Sequence, residues 1–345
     1  MPLTMQTLQP ILQRWFPHAQ GIADIQPLVA DASTRRYFRM QWSLSNPSVP
    51  STYILMACDP WPETTTPDFL AIERHLRACD VHVPQVYGVD PSQGLMCLQD
   101  YGDRTLATHW QEVVSADRLQ WGKRAIDELV KMHTLGSQRD NPACPAFRLA
   151  FDVPKLLSEL QFFRQHAIEG LWRHTLTTSE HEALDDAFTT LCTILAAQPR
   201  YFCHRDYHGW NLMVHDGAIG VLDFQDARMG PQTYDLVSLL TDRGMPEVLG
   251  NDGMSVFVDY YIQCMEAEEG RRIVRRDFNE LFEYVAIQRG LKAVGTFAYM
   301  STALQRQQYL PYILPTLTYI KPLIERYDVL QSLALCLRRY LPETA

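Results

Sequence analysis

Five polar residues crowd into one largely apolar stretch, "YFCHRDYHGWNLMV": His204, Arg205, Asp206, His208 and Asn211. A second acidic group follows in "VLDFQDA", which carries Asp223 and Asp226. Three chemistries could use such residues. His204 and His208, at i and i+4, have the spacing of two zinc ligands on one helix face. Gly209 and the β-rich text around it oppose a helix, and no following Cys/His pattern offers a third ligand. A polar turn that satisfies its own hydrogen bonds explains one His or one Asp, but not an Asp, an Asn and an Asp ordered across two strands. Phosphoryl transfer fits the order. It asks the protein for a carboxylate that orients a hydroxyl and for oxygen ligands that hold a metal on phosphates. Asp206 suits the first task, and Asn211 and Asp223 suit the second.

The flanking text says what must position these groups. "RYFCH" and "IGVLDF" read as short strands, with a hairpin signal at Asp216-Gly217 between them. Asp206 and Asn211 then fall on a loop and Asp223 at the end of a strand. From about residue 24 to 100 the chain is strand-like, with "YFRMQWSL", "TYILMAC" and "GLMCLQD" bounded by turn residues. One helical pattern, "PDFLAIERHLRAC", interrupts them, and another, with Leu8, Ile11, Leu12 and Trp15 in register, precedes them and ends at Pro17. After residue 104 helical periodicity dominates, as in "ADRLQWGKRAIDELVKMHTLG", "VPKLLSELQFFRQHA", "SEHEALDDAFTTLCTILAAQ" and "FNELFEYVAIQRGLKAVGTFAYM". The expected fold class is α+β, a small antiparallel sheet lobe followed by a large helical lobe.

Composition narrows the partners. The 345 residues are 46% apolar and 21% charged, ordinary for a globular protein with a sizeable core. A net charge of −9 argues against general nucleic-acid binding. No apolar run is long enough for a membrane span, and the start lacks a signal-peptide pattern. The eight cysteines form no CxxC pair and have mostly apolar neighbours, which fits reduced thiols in a cytoplasmic protein. Nothing calls for an obligate protein partner.

His204, Asp206 and Asn211 match the kinase loop pattern H-x-D-x-x-x-x-N, with Asp223 in the acidic position beyond it. "CHRDYHGWNLMV…IGVLDFQDARMGPQTYDLVSLL" resembles the aminoglycoside phosphotransferase and choline kinase superfamily, distant relatives of protein kinases. "ASTRRYFRM", "YILMACDP", "VPQVYGVD", "GLMCLQDYGD" and "AIQRGLKAVGTFAYM" further resemble the bacterial kinases that phosphorylate N-acetylmuramate and N-acetylglucosamine at C1 in cell-wall recycling. Asp235 stands only twelve positions after Asp223 and no A-P-E intervenes, so the segment that presents a peptide to a protein kinase is lacking. A small hydroxylated substrate needs no such platform. Asp235 reads as a brace for the loop or a helix cap.

The resemblance implies a protein-kinase-like fold with ATP and Mg²⁺ as cofactors. Residues 1–100 would form the nucleotide lobe, with a hinge near 98–103, and 104–345 the helical lobe holding the catalytic loop and substrate pocket. It puts Ser33, Thr34, Arg35, Arg36 and Tyr37 in the loop over the nucleotide and Gln99 and Tyr101 at the adenine edge. No lysine precedes Lys123, and Met56 and Ala57 stand where a kinase carries its strand lysine. Arginines from 35 to 39 and the metal would then meet the phosphate charge. Glu73 matches the kinase helix glutamate without its lysine, and a solvated face explains it equally well. Asp226, Glu159, Arg289 and Lys292 are candidate substrate contacts, the last two at helix spacing where they could meet the lactyl carboxylate of a muramic acid. Gln161 and Gln288 lie beside them. A kinase for choline, homoserine or an aminoglycoside is the enzyme alternative. A nucleotide-binding pseudokinase module, raised by the missing lysine, is the alternative of another class.

Overall fold

The computed structural model describes residues 5–17, 22–28, 35–42, 51–138 and 141–338. Five antiparallel strands open the fold: β1 (Ile22–Leu28), β2 (Arg36–Trp42), β3 (Thr52–Ala57), β4 (Val86–Asp90) and β5 (Leu95–Gln99). Their order in the sheet is β1-β2-β3-β5-β4. Side chains alternate across a strand, so Tyr53, Leu55, Ala57, Leu95 and Cys97 serve one face and Ile54, Met56, Met96 and Leu98 the other. Helix α1 (Met5–Trp15) covers the first face with Leu8, Ile11 and Leu12. Helix α2 (Asp68–Ala78) covers the second, and through Phe69, Ile72 and Leu76 that core runs unbroken into the helical part. β1 and β4 are strands the sequence pattern did not single out. Pro27 and Gly88 weaken their strand signal.

The remainder is mainly helical: α3 (Leu106–Glu112), α4 (Ser115–His133), α5 (Leu135–Gln138), α6 (Val153–Phe163), α7 (Thr178–Ala196), α8 (Tyr234–Thr241), α9 (Met245–Glu269), α10 (Arg275–Thr302), α11 (Ile313–Arg326) and α12 (Gln331–Leu337). Local chemistry sets the starts of two of them. Asp152 accepts the Lys155 N–H at the head of α6, and Thr177 with Glu180 forms a capping box on α7. α10 is buried on most of its sides, and it crosses α6 at Gly295. A Cβ there would lie 2.7 Å from the Phe163 Cα, so only glycine permits this approach. The crossing sets Gln288 and Lys292 of α10 beside Glu159 of α6. Among the described residues, no helix is long and apolar enough to cross a membrane.

Two small ribbons carry the polar loop. β7 (Leu212–His215) and β8 (Ala218–Val221) form the expected hairpin, with Asp216 and Gly217 at φ of 47° and 77°, as its turn requires. β6 (Arg200–Cys203) pairs with β9 (Arg228–Pro231), a four-residue strand beyond Asp223 that is too short to announce itself by alternation. Asp223 lies just past β8 rather than within it. The whole is the α+β, kinase-like arrangement that the resemblance implied.

Candidate active site

The loop after β6 is held from below by one carboxylate. Asp235, fully buried in the first turn of α8, accepts the N–H of His204 at 2.6 Å and of Arg205 at 3.0 Å. Arg205 has φ of 85°, a left-handed conformation that costs a non-glycine residue about 1–3 kcal/mol unless its surroundings hold it. Asp235 holds its N–H, and Arg289 donates from Nη1 to its carbonyl at 2.6 Å. Tyr207 adds an anchor by donating its hydroxyl to the Ala125 carbonyl at 2.6 Å. Asp235 is thus the brace that the sequence suggested.

Leu222 brings the two candidate metal ligands together. Its N–H donates to the Asn211 carbonyl at 2.9 Å, and its carbonyl accepts from His204 Nε2 at 2.7 Å. Asp223 is the next residue, held at φ of 62° while Phe224 inserts into the core and stacks on Phe69 at 4.9 Å. Asn211 Nδ2 donates to the Asp206 carbonyl at 2.9 Å, which fixes the amide with Oδ1 as its remaining donor atom to a metal. His204 is scaffold: Nε2 carries the proton, and Nδ1 accepts the Asp206 N–H at 3.3 Å. His208 is not hydrogen-bonded in the same way. Its imidazole makes no hydrogen bond at Nδ1, and burial pushes its pKa down against the pull of Asp242 and Asp206.

Neither histidine belongs to a metal-type cluster. Among the described residues the one such group is His133, Cys203 and Asp235, buried beneath the loop. Both Asp235 oxygens there are already taken by backbone N–H groups.

The Asp206 side chain meets Lys292, whose Nζ lies 3.0 Å from Oδ1, and Arg205 Nε stands 3.9 Å from Oδ2. Burial alone would raise the Asp206 pKa. Lys292, Arg289 and Arg205 outweigh it and hold the carboxyl well below the usual range. Next to this pair, buried Glu159 accepts Gln288 Nε2 at 3.0 Å and pairs with Lys155 at 3.1 Å. Burial opposes its charge too, yet Lys292 and Lys155 keep it ionised. Asp226 is exposed and pairs with Arg205 at 3.2 Å. Of the four substrate candidates, Lys292, Glu159 and Asp226 therefore border the Asp206 site directly or through Arg205. Arg289 sits behind the loop, buried, with Nη2 on the Ser238 hydroxyl at 2.6 Å. Gln161 is exposed on α6.

On the sheet side the candidates divide. Ser33 and Thr34 lie outside the described residues. Arg36 and Tyr37 belong to β2 rather than to a loop. Burial raises the Tyr37 pKa, Arg35 lowers it through a hydrogen bond, and the Asp223 charge raises it again, so the start of β2 approaches the metal-ligand position. Arg39 is committed elsewhere: it grips Asp100 through Nε at 2.7 Å and Nη2 at 3.0 Å and pairs with Asp103 at 2.8 Å. Gln99 and Tyr101 turn the other way, into a 420 Å³ pocket with Arg77, His82 and His215 that none of Asp206, Asn211 or Asp223 lines. Only their backbone is left to face an adenine. Met56 is fully buried, and Glu73, far from being solvated, is buried against Arg77 at 3.4 Å.

Three residues without a motif of their own also border this flank of Asp206: Lys155, Arg228 and Tyr234. The i, i+4 pair Lys155–Glu159 was readable on α6, whereas Arg228 and Tyr234 gave no local signal.

Comparison with known proteins agrees with this geometry. Residues 24–268 match the model of the phosphotransferase enzyme family. An N-acetylmuramate/N-acetylglucosamine kinase of Neisseria meningitidis serogroup B is 30% identical over 311 residues, 90% of this chain and 88% of the relative. One of the same name from Pseudomonas putida is 29% identical over 307 residues, 88% of this chain and 84% of the relative. A choline/ethanolamine kinase family protein from Mesorhizobium loti shares the fold with a TM-score of 0.56 at 15% identity, covering 97% of this chain and 100% of that one. The streptomycin–ATP ternary complex of APH(2")-IIa does so with a TM-score of 0.55 at 13% identity, covering 90% and 97%. The chain belongs to the phosphotransferase enzyme family.

Proposed function

We propose that this chain transfers the γ-phosphoryl group of ATP to the C1 hydroxyl of N-acetylmuramate or N-acetylglucosamine, a step of peptidoglycan recycling. The observation that carries the reading is the loop itself. An ionised Asp206 stands beside Asn211 and Asp223, which the two Leu222 hydrogen bonds bring together. The family and the names of the relatives point to the amino-sugar acceptor.

In this reading the acceptor hydroxyl donates to Asp206. A carboxylate held so far below its usual pKa is a weak base, so Asp206 orients the hydroxyl and takes its proton only late, as a loose transition state allows. Asn211 Oδ1 and the exposed Asp223 carboxylate form a hard, oxygen-only donor set of the kind that suits Mg²⁺. When bound there, Mg²⁺ draws charge off the phosphates. Residues 1–100 would grip the nucleotide, with Arg35 and Tyr37 nearest Asp223 and the 99–101 backbone at the adenine. Lys292 supplies, from the helical side, a cation that no lysine of the sheet lobe provides. ATP as donor and eight cysteines outside disulfides fit a cytoplasmic setting.

An ATP-consumption assay over a panel of amino sugars, choline, homoserine and aminoglycosides tests the reading. Amino-sugar-dependent ADP release that Asp206→Asn abolishes supports it. ADP release with another class of acceptor alone contradicts it.

A further inference from the structure

Polar atoms without partners are rare in a folded core and ask for an explanation where they cluster. Several of those among the described residues gather on one flank of Asp206. Arg205 Nε, Arg228 Nε, Tyr234 Oη and Gln288 Oε1 are buried without a hydrogen-bond partner, beside the Lys155–Glu159 ion pair. They come from the loop, β9, α8 and α10, so four elements contribute to one place. Tyr234 is fully buried, and its hydroxyl has Glu159, Arg289, Asp206 and Arg205 as its charged neighbours.

Of its two arginines, Arg228 is stacked on an aromatic ring. The Arg228 guanidinium lies 5.3 Å over the Phe151 ring, Phe151 stacks on Tyr234 at 4.0 Å, and Arg289 closes the far side of Tyr234 at 4.8 Å. Such a stack fixes the plane of an arginine and leaves its N–H edge for a ligand. Arg228 forms no ion pair with a carboxylate among the described residues. Its charge is opposed by burial and by Arg205, and only then relieved by Glu159 and Asp226. Around this flank the cations Lys155, Arg205, Arg228, Arg289 and Lys292 outnumber the carboxylates Glu159, Asp206 and Asp226. The flank is therefore cationic in a chain whose net charge is −9.

We infer that Arg228, steadied on Phe151 and flanked by Arg205 and Tyr234, is a specificity residue that binds a single carboxylate carried by the acceptor sugar. The inference rests on the phosphotransfer reading above for the identity of the acceptor. It goes further in assigning the residue that separates an acidic amino sugar from its neutral counterpart. The guanidinium fork matches a carboxylate in two parallel hydrogen bonds, which a lysine cannot reproduce. Tyr234 Oη, buried and unpartnered in the same cluster, is the neutral donor available beside the two arginines.

The test compares N-acetylmuramate with N-acetylglucosamine in wild type, Arg228→Met and Arg228→Lys, by turnover with Mg-ATP and separately by calorimetric binding. Loss of a charge-assisted bidentate contact should lower the ratio of kcat/KM for the acidic over the neutral sugar by about 10–100-fold in Arg228→Met. Arg228→Lys should recover only part of it, with the melting temperature showing that both variants fold. An unchanged ratio overturns the inference. So does an equal loss for both sugars, or a change confined to the KM for ATP, which would place the anion on the nucleotide. If wild type turns over neither sugar, the phosphotransfer reading fails. Calorimetry then still decides this inference, through an Arg228-dependent preference for the acidic sugar or its absence.

Discussion

Lys292 Nζ of α10 lies 3.0 Å from Oδ1 of Asp206, the carboxylate at the centre of the loop. The two residues are far apart in sequence and meet because α10 passes close over α6 at Gly295. The pair is partly buried, with side-chain exposures of 16% and 32%, so its charges are screened less than those of a surface pair. Three functions follow from one contact. Lys292 keeps Asp206 ionised, fixes the direction of its carboxylate, and brings a positive charge to the place where a hydroxyl and a phosphoryl group would meet.

Removing that charge should change the pH profile. Without its nearest cation, Asp206 holds a proton more readily, so its pKa rises from its depressed value. In Lys292→Met the acidic limb of kcat/KM should move to higher pH, while Lys292→Arg keeps the wild-type limb. Superimposable profiles for wild type and Lys292→Met would contradict this electrostatic role.

Glu159 makes a matching prediction about stability. Its pKa is depressed in the fold, so its contribution is present above the unfolded carboxylate value of about 4.3 and is lost as pH falls through the folded value. Glu159→Gln keeps an acceptor for Gln288 but has no proton to gain. Its melting temperature should therefore fall less steeply in acid than that of wild type, with the two curves closing below about pH 4. Parallel curves would show that Glu159 is not held ionised.

Asp235 is a positioning residue beneath the loop. Asp235→Ala leaves the N–H groups of His204 and Arg205 buried without acceptors, which costs about 1–3 kcal/mol. It also releases the left-handed Arg205. Turnover should drop sharply while the KM for ATP changes little, because the proposed function has the nucleotide gripped from the sheet side. A rise in that KM with kcat preserved would put the defect elsewhere.

Met56 tests whether the sheet lobe has an unused lysine site. The residue is fully buried in the core between β3 and α2, so Met56→Lys should destabilise by roughly 2–4 kcal/mol without a gain in turnover. Wild-type stability with faster turnover would mean that position 56 faces the nucleotide.

Much of this site was legible because its key residues are close in sequence. His204, Asp206, Asn211 and Asp223 span one loop and one hairpin, and Asp216-Gly217 announced the turn between them. Helical periodicity likewise gave α4, α6, α7 and α10. Contacts between distant segments were not legible. Arg39 looked like a phosphate ligand until the fold set it on Asp100 and Asp103. Glu73 read equally well as the kinase helix glutamate or as a solvated residue, and α2 packs it inward beside Arg77. Arg289 and Lys292 share a helix and looked equivalent, yet their separation around it sends one behind the loop and the other to Asp206. β9, at four residues, was too short for a period, and with it went any sign of Arg228.

In the proposed reaction phosphate passes to an anomeric hydroxyl under the control of Asp206, and the reducing end of the sugar reports it directly. N-acetylmuramate or N-acetylglucosamine is incubated with Mg-ATP and wild type or Asp206→Asn, and ADP and reducing ends are measured together. The account predicts one reducing end lost for each ADP formed by wild type, and turnover lower by at least about 100-fold in Asp206→Asn. ADP formed with the reducing ends intact, or normal turnover by Asp206→Asn, would contradict it.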